Sequence, residues 1–187
     1  MSGRENEMTE LETKFARFGD SVAVKDGHVI AGYASLFGAA DQSGDTVLAG
    51  AYSASLKALK DSGRQVKMLW QHDPSQPIGI WDEVREDNKG LWVKGRLLDS
   101  VAKGREAAAL IAAGALDGLS IGYRTKRASK TTKGQRLLQE LELWEVSLVT
   151  FPMLPSARLT AKEDTSLEIL REMATLLSDA SRQMVQT

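Results

Sequence analysis

The chain contains no cysteine. That removes disulfides, thiolate zinc sites and cysteine nucleophiles together. Histidine is nearly as scarce, with His28 and His72 the only two in 187 residues. Two imidazoles cannot make a three-histidine metal site. There is no HExxH pair and no calcium loop with a full set of acidic ligands. No apolar run reaches the ~20 residues of a membrane-spanning helix. The polar, Glu-rich stretch Met1–Thr13 does not read as a secretory signal. An excess of one charge is missing too. Lys and Arg number 24 against 25 Asp and Glu, so nothing global calls for nucleic acid or an anionic membrane. The expectation is a soluble intracellular protein, with any histidine chemistry resting on residue 28 or 72.

What is present is ordinary globular material, 42% hydrophobic and 26% charged, enough to bury one core. Residues 1–14 lack a sustained apolar face and read as a flexible tail. Residues 15–37 read as a hairpin around Asp26-Gly27. Tyr52, Leu56 and Leu59 recur at helical spacing within Ala51–Ser62, which ends before Gly63. Val66–Trp70 is a short strand. Pro77–Val84 and Gly90–Leu98 are two more, joined by the polar turn Glu86–Gly90. Val101–Ala113 is an Ala-rich helix closed by Gly114. Leu119–Arg124 and Leu137–Phe151 are strands. Strands dominate and parallel βαβ alternation is missing. The expected class is therefore α+β and mainly β, a mostly antiparallel barrel or sandwich with helices outside.

Between the last two strands, residues 124–136 hold six basic side chains and no acid. The plain reading is a solvated hairpin loop. The sharper one is a dock for an acidic partner segment. Few aromatics accompany these charges, so nucleic-acid readout is not indicated. Residues 161–165 read as a linker. Beyond them Leu170, Met173, Leu177, Ala180 and Met184 form a narrow apolar seam on an amphipathic helix, which would dock on its own barrel or on a partner.

Three segments could carry chemistry. In Gly118-Leu-Ser-Ile-Gly122, bulky and small residues alternate, so Ser120 stands on a strand face whose neighbours have no side chains. The spelling G-x-S-x-G also matches a hydrolase nucleophile elbow, but that fold needs a His after the Ser and none follows His72. In Val66–Pro74, a strand delivers His72 to its end, where the chain turns at Pro74 and a general base could be presented. His28, beside a tight turn, reads as structural or exposed. In Leu141–Thr150, residues 141, 143, 145, 147 and 149 would share one face. That flanks the Glu145 carboxylate with apolar groups and calls for a partner such as an imidazole N–H. Each segment also has a purely structural reading: a small core Ser, a loop His, an edge-strand Glu facing water. Together they supply nucleophile, base and orienting carboxylate in the chain order His72, Ser120, Glu145.

Taken in order, the motifs resemble the prohead (head maturation) proteases of tailed bacteriophages. They are Gly32-Tyr-Ala-Ser-Leu-Phe37, Asp41 with Gly44-Asp45, Gly50-Ala-Tyr52, Met68-Leu-Trp-Gln-His-Asp73, Pro77-Ile-Gly79, Gly114–Gly122 and Glu145–Pro152. The likeness runs over residues 15–160 and extends to the herpesvirus assemblins. It implies a seven-stranded barrel surrounded by helices, with a protease domain at 15–160 and a linker and C-terminal helix at 161–187. It implies a serine endopeptidase with Ser120 as nucleophile and His72 as base, a mechanism that needs no metal or cofactor. Assemblins use a second His as third member; here Glu145 fills that place, with Asp73 the nearest rival. An oxyanion site is implied in the loop around residues 153–157, with Arg158 the nearby arginine. The implied substrates are a scaffold protein, or the scaffold segment of the major capsid protein, and the chain itself. Cleavage would occur inside an assembling procapsid in the host bacterial cytoplasm. Self-cleavage in residues 161–165 or 1–14 and a homo-oligomeric state are further implications. A non-catalytic assembly module on the same fold is the competing expectation.

Overall fold

A computed structural model describes residues 12–15, 23–25, 28–41, 43–132 and 134–150. It contains nine strands and two helices: β1 (Glu12–Phe15), β2 (Ala23–Lys25), β3 (Val29–Leu36), β4 (Thr46–Val47), α1 (Ser53–Asp61), β5 (Lys67–Trp70), β6 (Asp73–Glu86), β7 (Gly90–Leu97), α2 (Ala102–Ala112), β8 (Gly118–Lys130) and β9 (Arg136–Val149). All nine strands lie in one sheet, ordered β1-β8-β9-β5-β6-β7-β3-β2, with β4 added to β9. The β5–β9 and β4–β9 pairs are parallel and the rest antiparallel.

Strand twist accumulates across such a sheet and curls it. β3, far from β8 in the strand order, packs against it, and β1 touches β3, so the sheet closes as a half-barrel. Inside lie Ile30, Ala34, Met68, Ile78, Leu91, Val93, Leu119, Ile121, Val146 and Leu148, all essentially inaccessible. Period-2 alternation puts them on one face of their strands. Helix α1 packs on β9, and α2 on β6 and β7. The Trp81 indole N–H donates to the Val146 carbonyl at 3.1 Å and so avoids an unpaired buried donor.

The mainly β, mostly antiparallel class with two outer helices is the one expected from the sequence. Nine strands are described where the resemblance implies seven, the short β1 and β4 being unforeseen. β1 begins at Glu12, inside the stretch read as tail. Its only apolar residue within the described span is Phe15, too little for an alternation signal. Residues 124–136 are not a loop. β8 runs on to Lys130 and β9 starts at Arg136, and the turn closes through Thr131 N–H to the Gln135 carbonyl, 2.8 Å. Three of its cations are engaged within the chain. Arg124 stacks on Trp144, Lys126 pairs with Glu142, and Arg136 bonds Glu12, Asp45 and Thr125. The linker, the C-terminal seam, residues 153–157 and Arg158 lie outside the described residues.

Candidate active site

The site forms where β8, β9 and β5 run side by side. In β8–β9, Ser120 lies opposite Ser147 and Gly122 opposite Glu145. In β9–β5, Ser147 lies beside Leu69 and Glu145 beside Lys67. Paired residues project to the same side of a sheet. Ser120, Gly122, Glu145 and Ser147 therefore share one face, while Leu119, Ile121, Val146 and Leu148 share the core face.

That division depends on a bulge. Gly122 pairs with Glu145 but Tyr123 pairs with Leu143, so Trp144 is an extra residue in β9. One inserted residue reverses the in/out phase of everything beyond it. Leu143 and Leu141 consequently enter the core with Val146 and Leu148. The strict alternation expected from the sequence, with 141, 143, 145, 147 and 149 on one face, is broken at Trp144. Without the bulge, Glu145 could not stand on the site face while Leu141 and Leu143 are buried in the core.

His72 arrives through an unusual turn. Trp70 pairs with Asp73, so Gln71 and His72 form a two-residue hairpin loop between β5 and β6. Both have positive φ, 52° and 63°, as in a type I′ turn, where Asn-Gly is the usual pair. The chain thus turns at Gln71-His72, not at Pro74 as expected; Pro74 already belongs to β6. Left-handed backbone costs roughly 1–2 kcal/mol per non-glycine residue. Four hydrogen bonds offset it. Gln71 N–H donates to the Leu148 carbonyl at 3.0 Å, and its amide to Thr150 Oγ1 at 2.6 Å. His72 N–H donates to Ser147 Oγ at 3.1 Å. The His72 ring meets Glu145 Oε1 through Nδ1 at 2.6 Å. At about 0.5–1.5 kcal/mol for a neutral bond, and more for the charge-assisted one, the four are enough to hold the turn.

Glu145 is 5% exposed. Its Oε1 faces His72 Nδ1, and its Oε2 accepts from Ser147 Oγ at 2.6 Å. A carboxylate only accepts, so Nδ1 carries the proton and Nε2 is the ring's basic nitrogen. The result is a closed circuit: His72 N–H to Ser147 Oγ, Ser147 O–H to Glu145 Oε2, and the His72 ring Nδ1–H to Glu145 Oε1. It fixes the tautomer and tilt of the imidazole. Gly122 makes the space, since a Cβ there would overlap the Glu145 carboxylate. The small face of Gly118–Gly122 is legible in the sequence as room for a close approach. What occupies that room at residue 122 is the Glu145 side chain.

Asp73 is turned to Ser75, accepting from its N–H and hydroxyl at 2.8 and 2.6 Å; the Ser75 hydroxyl bond, then the N–H bond, hold its carboxyl below the usual range. His28 pairs with Asp99 at 2.9 Å in an exposed position. Sequence reasoning missed Ser147 and the Trp144 bulge. Ser147 could have been found, because it stands two residues from Glu145 on the same strand.

A buried carboxylate bonded to an imidazole, on the sheet face that also carries a strand serine, supplies the residue types that a serine hydrolase uses. Residues 18–172 match the family described as caudovirus prohead serine protease. The prohead protease of Enterobacteria phage HK97 is 33% identical over 175 residues, covering 91% of this chain and 74% of that one. The capsid polyprotein of Pseudomonas phage PAJU2 is 31% identical over 122 residues, 59% of this chain and 18% of the polyprotein. The solved structure of the bacteriophage T4 capsid assembly protease, gp21, superposes with a TM-score of 0.61 at 17% identity, over 76% of this chain and 98% of that one; that likeness concerns the fold. The chain belongs to the caudovirus prohead serine protease family.

Proposed function

We propose that Ser120 is the nucleophile, His72 the general base and Glu145 the orienting carboxylate of an endopeptidase. The observation that carries the reading is the Glu145–His72 bond at 2.6 Å on the sheet face shared with Ser120. Glu145 engages Nδ1 and thereby assigns Nε2 to proton transfer. The Ser120 proton passes to Nε2 as Oγ attacks the peptide carbonyl, giving a tetrahedral oxyanion. Its collapse breaks the C–N bond, and the imidazolium returns the proton to the leaving amine. Water, deprotonated by the same imidazole, then hydrolyses the acyl-enzyme. Glu145 steadies the imidazolium throughout, a role that suits a carboxylate 5% exposed and held by two donors.

The substrates we propose are the scaffold protein or the scaffold segment of the major capsid protein, and the chain itself. The HK97 relative named as a prohead protease and the PAJU2 capsid polyprotein that contains a similar stretch support this. The setting is the procapsid in the host bacterial cytoplasm, where confinement supplies high effective concentration and a modest catalyst suffices. Self-association, self-cleavage in residues 1–14 or 161–165, and an oxyanion site in residues 153–157 belong to the same proposal. The test is co-expression of wild-type or Ser120→Ala chain with its capsid and scaffold proteins. Mass spectrometry should find truncated products with wild type alone. Equal processing by Ser120→Ala would favour a non-catalytic assembly module.

A further inference from the structure

We infer that β1 is a displaceable plug: residues Glu12–Phe15 occupy, in cis, the edge of β8 to which an extended peptide substrate adds as a strand. The inference rests on the reading of Ser120 as nucleophile. β9 fills one side of β8, so the β1 side is the edge left for a further strand. β1 takes that edge in antiparallel register, with Glu12 opposite Tyr123, Thr13 opposite Gly122, Lys14 opposite Ile121 and Phe15 opposite Ser120. Neighbouring strands lie about 4.8 Å apart, so while β1 is in place no second peptide can hydrogen-bond along β8 beside Ser120. Ser120 is itself completely buried, 0% exposed. A protease whose nucleophile is covered, with a strand of its own chain beside it, must open before it cuts.

The hold on β1 is local. Four residues pair, and the end remote from Ser120 is tied by Glu12, which accepts from Arg136 at 2.8 Å and from Thr125 N–H at 3.3 Å. Arg136 in turn is braced by Asp45 at 3.2 Å and Thr125 Oγ1 at 2.8 Å. Short edge strands belong to the low-stability end of a fold and open without global unfolding. Strand addition to a vacated edge uses mainly backbone groups and so accepts varied sequences, which suits an extended segment of a scaffold or capsid chain.

The experiment measures the rate at which a fluorophosphonate, a reagent that phosphonylates activated serines, labels Ser120 in the full chain. Thr13→Pro/Lys14→Pro removes two successive backbone donors, of which one faces β8 because N–H groups alternate along a strand. Glu12→Ala cuts the tether and leaves the backbone intact. Labelling scales with the open fraction, so the double variant should label at least about tenfold faster and Glu12→Ala several-fold faster. Excess synthetic peptide spanning residues 10–18 should slow the double variant again. Unchanged or slower labelling, in a variant that keeps the wild-type melting transition, overturns the plug and makes β1 a structural closure of the half-barrel. Should the double variant not fold, Glu12→Ala decides on the same terms. Ser120→Ala added to the fast variant separates the two readings: if labelling persists, the nucleophile assignment has failed, whatever β1 does.

Discussion

His72 and Glu145 meet across the end of the β5–β9 pair, Nδ1 to Oε1 at 2.6 Å, with residue 72 in a left-handed conformation that it would not adopt without support. Ser147 completes the support from both sides, accepting from the His72 amide and donating to the Glu145 carboxylate. Glu145→Gln replaces one acceptor oxygen by a donor and should lower kcat by about 10²–10⁴-fold with little change in KM. Asp73→Asn should leave kcat near wild type. Steady-state cleavage of a peptide substrate checks both, and a loss confined to Asp73→Asn would make Asp73 the partner instead.

Gly122→Ala pushes a methyl group into the space of the Glu145 carboxylate. The carboxylate is held by two hydrogen bonds and cannot move without giving up one. Expected are a fall of at least about tenfold in kcat and a destabilisation of roughly 1–3 kcal/mol, the usual scale of overpacking. Denaturant unfolding of the variant, read beside its kinetics, checks this.

Deleting Trp144 removes the bulge residue. The phase of β9 then slips, setting either Leu143 and Leu141 against water or Glu145 into the core. The deletion should abolish soluble expression, whereas Trp144→Ala, which keeps the backbone count, should fold. A soluble, active deletion variant would contradict the bulge.

Acidification should act on function and fold separately. A histidine base stops working once protonated, so kcat/KM should fall on acidification, and a rate indifferent to acidification would exclude His72 as base. Fold stability has an acid limb of its own at the β6–β7 turn. Burial pushes Asp87 up, but the Lys89 and Gly90 N–H groups, Tyr33 and Arg85 outweigh it and bring Asp87 down to about 2. A folded-state value below the unfolded one gives stability that is full above the unfolded value and lost as pH falls toward 2. Asp87→Asn should remove part of that acid dependence. Thermal melts of both proteins from pH 5 to pH 2, on a grid of about half a unit, would show it, and parallel curves would contradict it.

Much of the fold could be read because it rests on local signals. The helix at Ser53–Asp61 follows from Leu56 and Leu59 at helical spacing, and β7 from the alternation of Leu91, Val93, Gly95 and Leu97. Ser120, His72 and Glu145 were each visible as chemistry-bearing residues on strands or strand ends. What stayed hidden depends on pairing between distant segments. The Trp144 bulge leaves no mark in β9 alone, because Leu141-Glu-Leu-Trp-Glu-Val alternates plausibly without it. The left-handed turn lacks the Asn-Gly spelling; Gln71-His72 is stabilised there by Leu148, Thr150, Ser147 and Glu145, all more than seventy residues away. β1 is four residues long and is specified by the β8 edge more than by its own sequence.

In the proposed mechanism His72, steered by Glu145, draws the proton from Ser120. The most direct test of that step is fluorophosphonate labelling followed by peptide mapping, in wild type and in His72→Ala. The expected result is one adduct, on residue 120, forming more than about 10³-fold slower without the imidazole. An adduct on another residue, or a labelling rate indifferent to His72, would contradict it.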